Sequence, residues 1–196
     1  RDAEVKLFIK APWMPRIQQD LRKGRADVIA IQAFLAAQVF GSCDGSPALA
    51  APAGGEDPRS SEEGVAGFLR WLGDDARQIS AAEVDKSLHT SPVILQSDEG
   101  VDMAFKVGRD MYVFTTKRIL LIDVQGLTGK KVEYMSIPLK YCAAFAVQSA
   151  GKFDWDEEAI VYTDVPGKKR ISQDLWKGKA DLFAVQSLLA HKILGR

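Results

Sequence analysis

A mainly β fold with some helix is what the sequence predicts for residues 64–196: an antiparallel sandwich or barrel of seven strands, capped by a C-terminal amphipathic helix. Three observations predict it. Segments of strand periodicity follow one another from Val101 onward, with turn signals spaced about 8–12 residues apart, as in antiparallel sandwiches and barrels. The period then changes once, near Asp181, to that of a helix. Finally, the closing phrase "RISQDLWKGKADLFAVQSLLAHKILG" of residues 170–195 is already present as "RIQQDLRKGRADVIAIQAFLAAQVFG" at residues 16–41.

In chain order, "GVAGFLRWL" has the composition of a short apolar helix, and "SAAEVDKSL" opens a second with Ser80 and Glu83 at capping-box spacing. Val101, Met103, Phe105 and Val107 then alternate with Asp102, Ala104, Lys106 and Gly108, the pattern of a half-buried strand. "DMYVFTT" and "KRILLIDV" are the next strands, and the unbroken run Ile119–Ile122 predicts burial on both faces. "QGLTGK" supplies two glycines for a hairpin loop into "KVEYMSIP". "CAAFAVQ", "WDEEAIVYT" and Arg170–Leu175 complete the set, joined through "SAGKFD" and "VPGKK". Leu182, Phe183, Val185, Leu188, Leu189 and Ile193 form the predicted helical stripe, with Asp181 in its first turn and Gly195 past its end.

The repeat sets the expected domain boundaries. Residues 2–41 laid on 156–195 without a gap share 17 of 40 positions, among them Gln19/Gln173, Asp27/Asp181 and Gln32/Gln186. Residues 1–41 therefore read as the last strands and capping helix of a first copy, with roughly 91 residues of that copy missing before Arg1 by correspondence with 64–154. Residues 42–63, rich in Ala, Gly, Pro and Ser, read as a flexible linker, and 64–196 as a complete second copy. A piece of two strands and a helix leaves its apolar face uncovered, so the question is what covers Val28, Ile31, Phe34 and Leu35.

Composition narrows function by exclusion. Lys and Arg number 26 against 26 Asp and Glu, so no overall field would hold the molecule to nucleic acid or an anionic membrane, and any anion site is local. No apolar run has the length of a membrane span and the opening residues lack a signal-peptide pattern, which predicts an intracellular protein, soluble or peripheral to a membrane or larger assembly. The cysteines, Cys43 and Cys142, make neither a disulfide framework nor a zinc pattern. His89 and His191 have no partners at triad or HExxH spacing, and "GLTGKK" lacks the spacing of a phosphate loop. Catalytic residues, metal, cofactor and small-molecule substrate are accordingly all expected to be absent.

The stretch "VFTTKRILLIDVQGLTGKKVEYMSIPLKYCAAFAVQSAGKFDWDEE" (Val113–Glu158) closely resembles the signature of the bacterial pleckstrin-homology (PH) domain family. The entry "TTKR", the hairpin around "QGLTGKKVEY" and the corner "SAGKFD" carry the likeness, while "PLKYC" departs from the usual turn of the family. The resemblance implies a seven-stranded bent sheet closed by the C-terminal helix, no catalytic chemistry, and a tendency to self-associate. A protein partner or self-association is the expected mode of action.

The alternative is a peripheral membrane adaptor. Anionic lipid headgroups dock at the open end of PH domains, where the resemblance puts Lys106, Arg109, Lys130 and Lys131, with Lys168, Lys169 and Arg170 in a later turn. The turn "KVGRD" is short for a phosphoinositide loop, and Asp102 and Asp110 stand close enough to offset the charge, so a solvated surface competes with that reading. These turns carry no interleaved aromatic residues for stacking bases, which speaks against nucleic acid. Trp13, Trp176 and Phe34 are the large apolar groups expected at an interface, with core packing as the competing role for the tryptophans.

Overall fold

The computed structural model describes residues 3–8, 16–21, 28–40, 77–90, 93–125, 131–149, 156–176 and 180–195. The predicted linker, the apolar segment "GVAGFLRWL", the tip of the "QGLTGK" loop and most of "SAGKFD" lie outside them. Ten strands and three α-helices follow in order among the described residues: β1 (Ala3–Phe8), β2 (Arg16–Leu21), α1 (Val28–Phe40), β3 (Arg77–Ile79), α2 (Ala81–Thr90), β4 (Val101–Val107), β5 (Asp110–Thr115), β6 (Arg118–Gln125), β7 (Lys131–Pro138), β8 (Cys142–Gln148), β9 (Asp156–Thr163), β10 (Arg170–Trp176) and α3 (Leu182–Leu194). A single 3-10 turn, Leu139–Tyr141, joins β7 to β8.

The seven predicted strands are β4 to β10. They form two antiparallel sheets, β3-β4-β5-β6-β7 and β10-β9-β8, so the domain has eight strands where seven were predicted. The additional one, β3, pairs Arg77–Ile79 with Ala104–Lys106 and is too short to show a period in sequence. Sharp hairpins set the meander. Gly108 takes φ 59° between Val107 and its partner Asp110, the backbone that glycine supplies at the first central position of a two-residue turn. Gly167, at φ 76°, does the same service before β10.

Each face of the larger sheet has its own core. The outer face presents Ala104, Met111, Val113, Leu120, Ile122 and Val124 to Val84 and Leu88 of α2, to Ile94 and Leu95 after it, and to Ile29 of α1. The inner face presents Met103, Phe105, Phe114, Ile119 and Ile137 to the smaller sheet and to Val185 and Leu189 of α3, which close the barrel. With both faces covered, residues 103–106 are all buried, and the half-buried alternation predicted for β4 does not hold. The double burial expected for β6 does hold: of residues 118–122 only Leu121 is partly accessible. The Ser80 hydroxyl accepts from the Glu83 amide at 3.4 Å, one half of the predicted capping box, and Asp181, expected within the first turn of the last helix, is its N-cap and accepts from the Ala184 amide at 3.0 Å.

Phe183 departs from its predicted stripe. At about 100° per residue it lies roughly 160° round the helix from Val185, and it is 86% exposed. Only Val185 and Leu189 are fully buried.

One buried ion pair ties the elements together. Arg118 and Glu99 have no exposed side-chain surface, and the guanidinium donates to both carboxylate oxygens at 2.9 Å. It also donates to the Ile94 carbonyl at 2.7 Å and to the Ser136 hydroxyl at 2.9 Å. Thr115 donates to Glu99 at 2.7 Å and accepts the Arg118 amide at 2.9 Å. The "TTKR" phrase is therefore a turn whose side chains build this network.

The repeated phrase has the same backbone both times. Ala3↔Leu21 through Phe8↔Arg16 in the β1–β2 pair correspond, residue for residue, to Glu157↔Leu175 through Tyr162↔Arg170 in β9–β10, and α1 corresponds to α3. Their helices dock differently. α3 turns Val185 and Leu189 into the barrel, whereas α1 lies on β7 with Ile29 and Ala36 buried, and Gln32 donates to Ser136. The Phe40 ring stands 5.4 Å from the Arg118 guanidinium, and Lys140 donates to the Val39 carbonyl at 3.4 Å. Ile31 and Leu35, the counterparts of Val185 and Leu189, are only half-buried, and Phe34 is 39% exposed.

Two outcomes follow. Replacing Arg118 by Ala strands a buried carboxylate and should cost about 3–5 kcal/mol in urea unfolding, whereas the double change Arg118→Met with Glu99→Leu should recover most of that loss. His89 bridges the Asp85 and Gln96 carbonyls at 2.9 Å each, beside the Asp85 carboxylate at 3.3 Å. Burial lowers its pKa, but the Gln96 and Asp85 carbonyls and the Asp85 charge outweigh that and raise it above 6.5. The imidazolium is thus favoured on folding, and its contribution is complete below 6.5 and lost as pH rises through the folded value. Unfolding curves of wild type and His89→Ala should therefore differ at acid pH and converge at alkaline pH.

Candidate functional site

Two surfaces carry the residues singled out from sequence: the ends of the strands and the outer face of β7. Antiparallel order puts the β4–β5 and β6–β7 connections at one end of the larger sheet. The β9–β10 turn is at the other, where the Asp164 amide meets the Tyr141 carbonyl at 2.8 Å and Leu139 meets the Lys117 carbonyl at 3.1 Å. The predicted basic residues are consequently divided. Arg109 and Lys131 are exposed at the first end, and Lys168, Lys169 and Arg170 stand at the second.

Lys106 is 1% exposed and its ammonium donates to the Gly108 carbonyl at 2.7 Å, so it braces the hairpin from inside. Arg170 is paired with Glu158 at 2.8 Å and donates to Ser172 at 2.8 Å. Lys130 lies outside the described residues.

Among the described residues the first end carries carboxylates beside its basic side chains. Asp110 accepts the Val124 amide at 3.0 Å and has its pKa raised, by burial first and then by the Asp123 carboxylate, against the lowering effect of Val124 and Arg109. Burial raises the pKa of Tyr112, and the charges of Asp110, Asp123 and Asp174 add to that. Glu133 faces Asp123 across the β6–β7 pair, and Gln125 donates to both. Asp102, expected to offset the basic turn, is instead at the far end of β4, held by Lys192 of α3 at 2.7 Å. Behind this end the barrel leaves a cavity of about 10 Å³ among Phe105, Tyr112, Phe114, Val161 and Gln173. That is room for one water at most.

The other surface was not legible in the sequence. Ser136, Arg118, the Lys140 ammonium and the apolar rim around Val132 and Tyr134 make a shallow bed on β7 that receives α1. Phe34, of the three expected interface residues, is on the part of α1 turned from that bed. Trp13 and the side chain of Trp176 lie outside the described residues.

Both nitrogens of His89 face carbonyls, Cys142 is buried, and among the described residues no three His, Cys, Asp or Glu side chains gather as metal ligands. No helix among them is long and apolar enough to cross a membrane.

Comparison with known proteins agrees with this architecture. The uncharacterised protein YjqA of Bacillus subtilis is 39% identical over 124 residues, which span 63% of this chain and 96% of YjqA. YozO of the same organism is 34% identical over 100 residues, 51% of this chain and 83% of YozO. A crystal structure from Shewanella loihica, described as a protein with a pleckstrin-homology domain, superposes with a TM-score of 0.53 at 36% identity, covering 62% of this chain and 99% of that one. Residues 71–193 match the family described as "Bacterial PH domain". With two antiparallel sheets, a plugging C-terminal helix and that match over more than half its length, the chain belongs to the bacterial PH domain family.

Proposed function

We propose that this chain is a non-catalytic interaction module that acts through protein–protein contact or self-assembly. The observation carrying this reading is the docking of α1 on β7. The outer face of the larger sheet accepts a largely apolar helix through a buried Ile29, a Gln32–Ser136 hydrogen bond and a cation–π contact. On this reading residues 1–41 are the end of one PH-like module, and α1 is the joint by which it rests on the next. Two linked modules would raise the effective concentration for a repetitive partner.

The membrane-adaptor alternative draws on Arg109, Lys131, Lys168, Lys169 and Arg170. Their division between two ends, and the carboxylates of Asp110, Asp123 and Asp174 near the first, favour the protein-interaction reading.

Two measurements decide between them. Light scattering of the intact chain across a concentration series should give masses above 21.5 kDa, and a constant 21.5 kDa would count against self-assembly. Sedimentation with phosphatidylcholine vesicles, with and without phosphoinositide, should leave the chain in the supernatant at low salt. Salt-sensitive pelleting with the phosphoinositide vesicles alone would instead establish the adaptor.

A further inference from the structure

The two copies of the repeated helix use opposite faces, and only one copy has both faces engaged to any extent. α1 buries the line Ile29, Gln32, Ala36 and Phe40 against β7, residues that fall on one side of a helix at about 100° per residue. The equivalent line of α3, by the register of the repeat, is Phe183, Gln186, Ala190 and Leu194. Its two middle positions are the same residues as in α1, and its two ends are again large and apolar.

In α3 this line faces water. Phe183 is 86% and Leu194 70% exposed, the two most exposed large hydrophobic side chains among the described residues, and Gln186 is exposed between them. The barrel does not need this face, because Val185 and Leu189 supply the plug from the other side of the helix. Packing within the domain therefore gives no reason for a phenylalanine at position 183.

We propose that the outer face of α3 is a docking face for the β7 bed of a second copy of this chain, reproducing the contact that α1 makes within one copy. The proposal rests on the interaction-module reading and names its partner. In the joint, Phe183 takes the place of Ile29 over the outer core, Gln186 donates to Ser136 of the second copy, and Leu194 covers the guanidinium of Arg118 as Phe40 does. The contact is heterologous, helix of one copy on sheet of the next, and so extends from copy to copy. Within one chain α1 competes for the same bed with the advantage of being tethered, which keeps the joint weak until α1 lifts.

The test uses the full chain and unlatches α1 with Ile29→Asp and Ala36→Asp, neither of which touches the barrel interior. Light scattering should then show self-association about tenfold tighter than in wild type. Adding Phe183→Asp, or separately Ala190→Asp, should return the unlatched protein to the 21.5 kDa monomer with its circular dichroism unchanged. An unlatched chain that stays folded at 21.5 kDa overturns the proposal, since the bed would then be open with no taker. Self-association that persists through both α3 substitutions also overturns it, while leaving the interaction-module reading intact on some other surface.

Discussion

A guanidinium without contact with water is the constraint on which the rest of this structure depends. Arg118 brings five N–H donors into the interior, and leaving even one group of such a charge unmatched is expensive. Its partners come from every direction: Glu99 from the segment after α2, the Ile94 carbonyl from the same segment, Thr115 by way of Glu99, and Ser136 from β7. Satisfying them fixes the β5–β6 turn, the approach of the chain into β4 and the height at which β7 runs. The pair contributes little as a source of stability when set against apolar residues of the same volume; what it contributes is a single arrangement, because few other packings would make the same four hydrogen bonds. Ser136 then has an acceptor lone pair to spare, and that is where Gln32 of α1 lands.

The same network explains why β7 has a bed at all. An outer sheet face of this kind is ordinarily covered by its own domain or left polar. Here α2 covers β4 and its neighbours, and β7 is left to the repeated helix. Ile29 joins the core formed by Val84, Leu88, Leu120 and Ile122, so a segment from the far side of residues 42–63 completes a core belonging to residues 77–194.

Much of the domain was legible in the sequence, and the failures have identifiable causes. The bounds of β7 and β8 agree with the runs "KVEYMSIP" and "CAAFAVQ" because turn residues flank both and each strand pairs without interruption over its visible length or after a single irregularity. β3 was invisible, being three residues long. β4 read as half-buried because Asp102, Ala104 and Lys106 look like solvent positions; Asp102 is indeed exposed, in an ion pair with α3, but Ala104 is buried and Lys106 turns its ammonium back to a turn carbonyl inside the fold. Phe183 was assigned to the barrel stripe because six apolar residues in a short helix seem to make one face, and a helix with two apolar faces is hard to separate from one with a broad face. The basic residues were placed by resemblance, with Lys168, Lys169 and Arg170 in a later turn, but which turns share an end depends on how many times the chain reverses, and the 3-10 turn at Leu139–Tyr141 carries it from one sheet to the other between reversals. The bed on β7 had no local signal whatever, since its components are 18 to 104 residues apart.

The division of charge and apolar surface bears on what the domain can hold. A headgroup with several phosphates asks for convergent cations that remain free to pair with it, and here Arg170 is already committed to Glu158 while Arg109 and Lys131 share their end with Asp110, Asp123 and Glu133. A helix asks for less: an apolar strip, one or two side-chain donors and acceptors, and a rim. The β7 surface meets that demand with a hydroxyl, a fixed guanidinium and a neighbouring lysine, all positioned by contacts the fold must make anyway. Because the guanidinium is held by Glu99 on its other edge, little entropy is lost when an aromatic ring settles against it, and the cost of binding falls mainly on ordering the incoming helix. That cost is smallest for a helix already ordered by a domain of its own, which is the condition of a C-terminal helix plugged into a barrel. On the proposed joint, the order that the barrel imposes on α3 would therefore serve its free face as well.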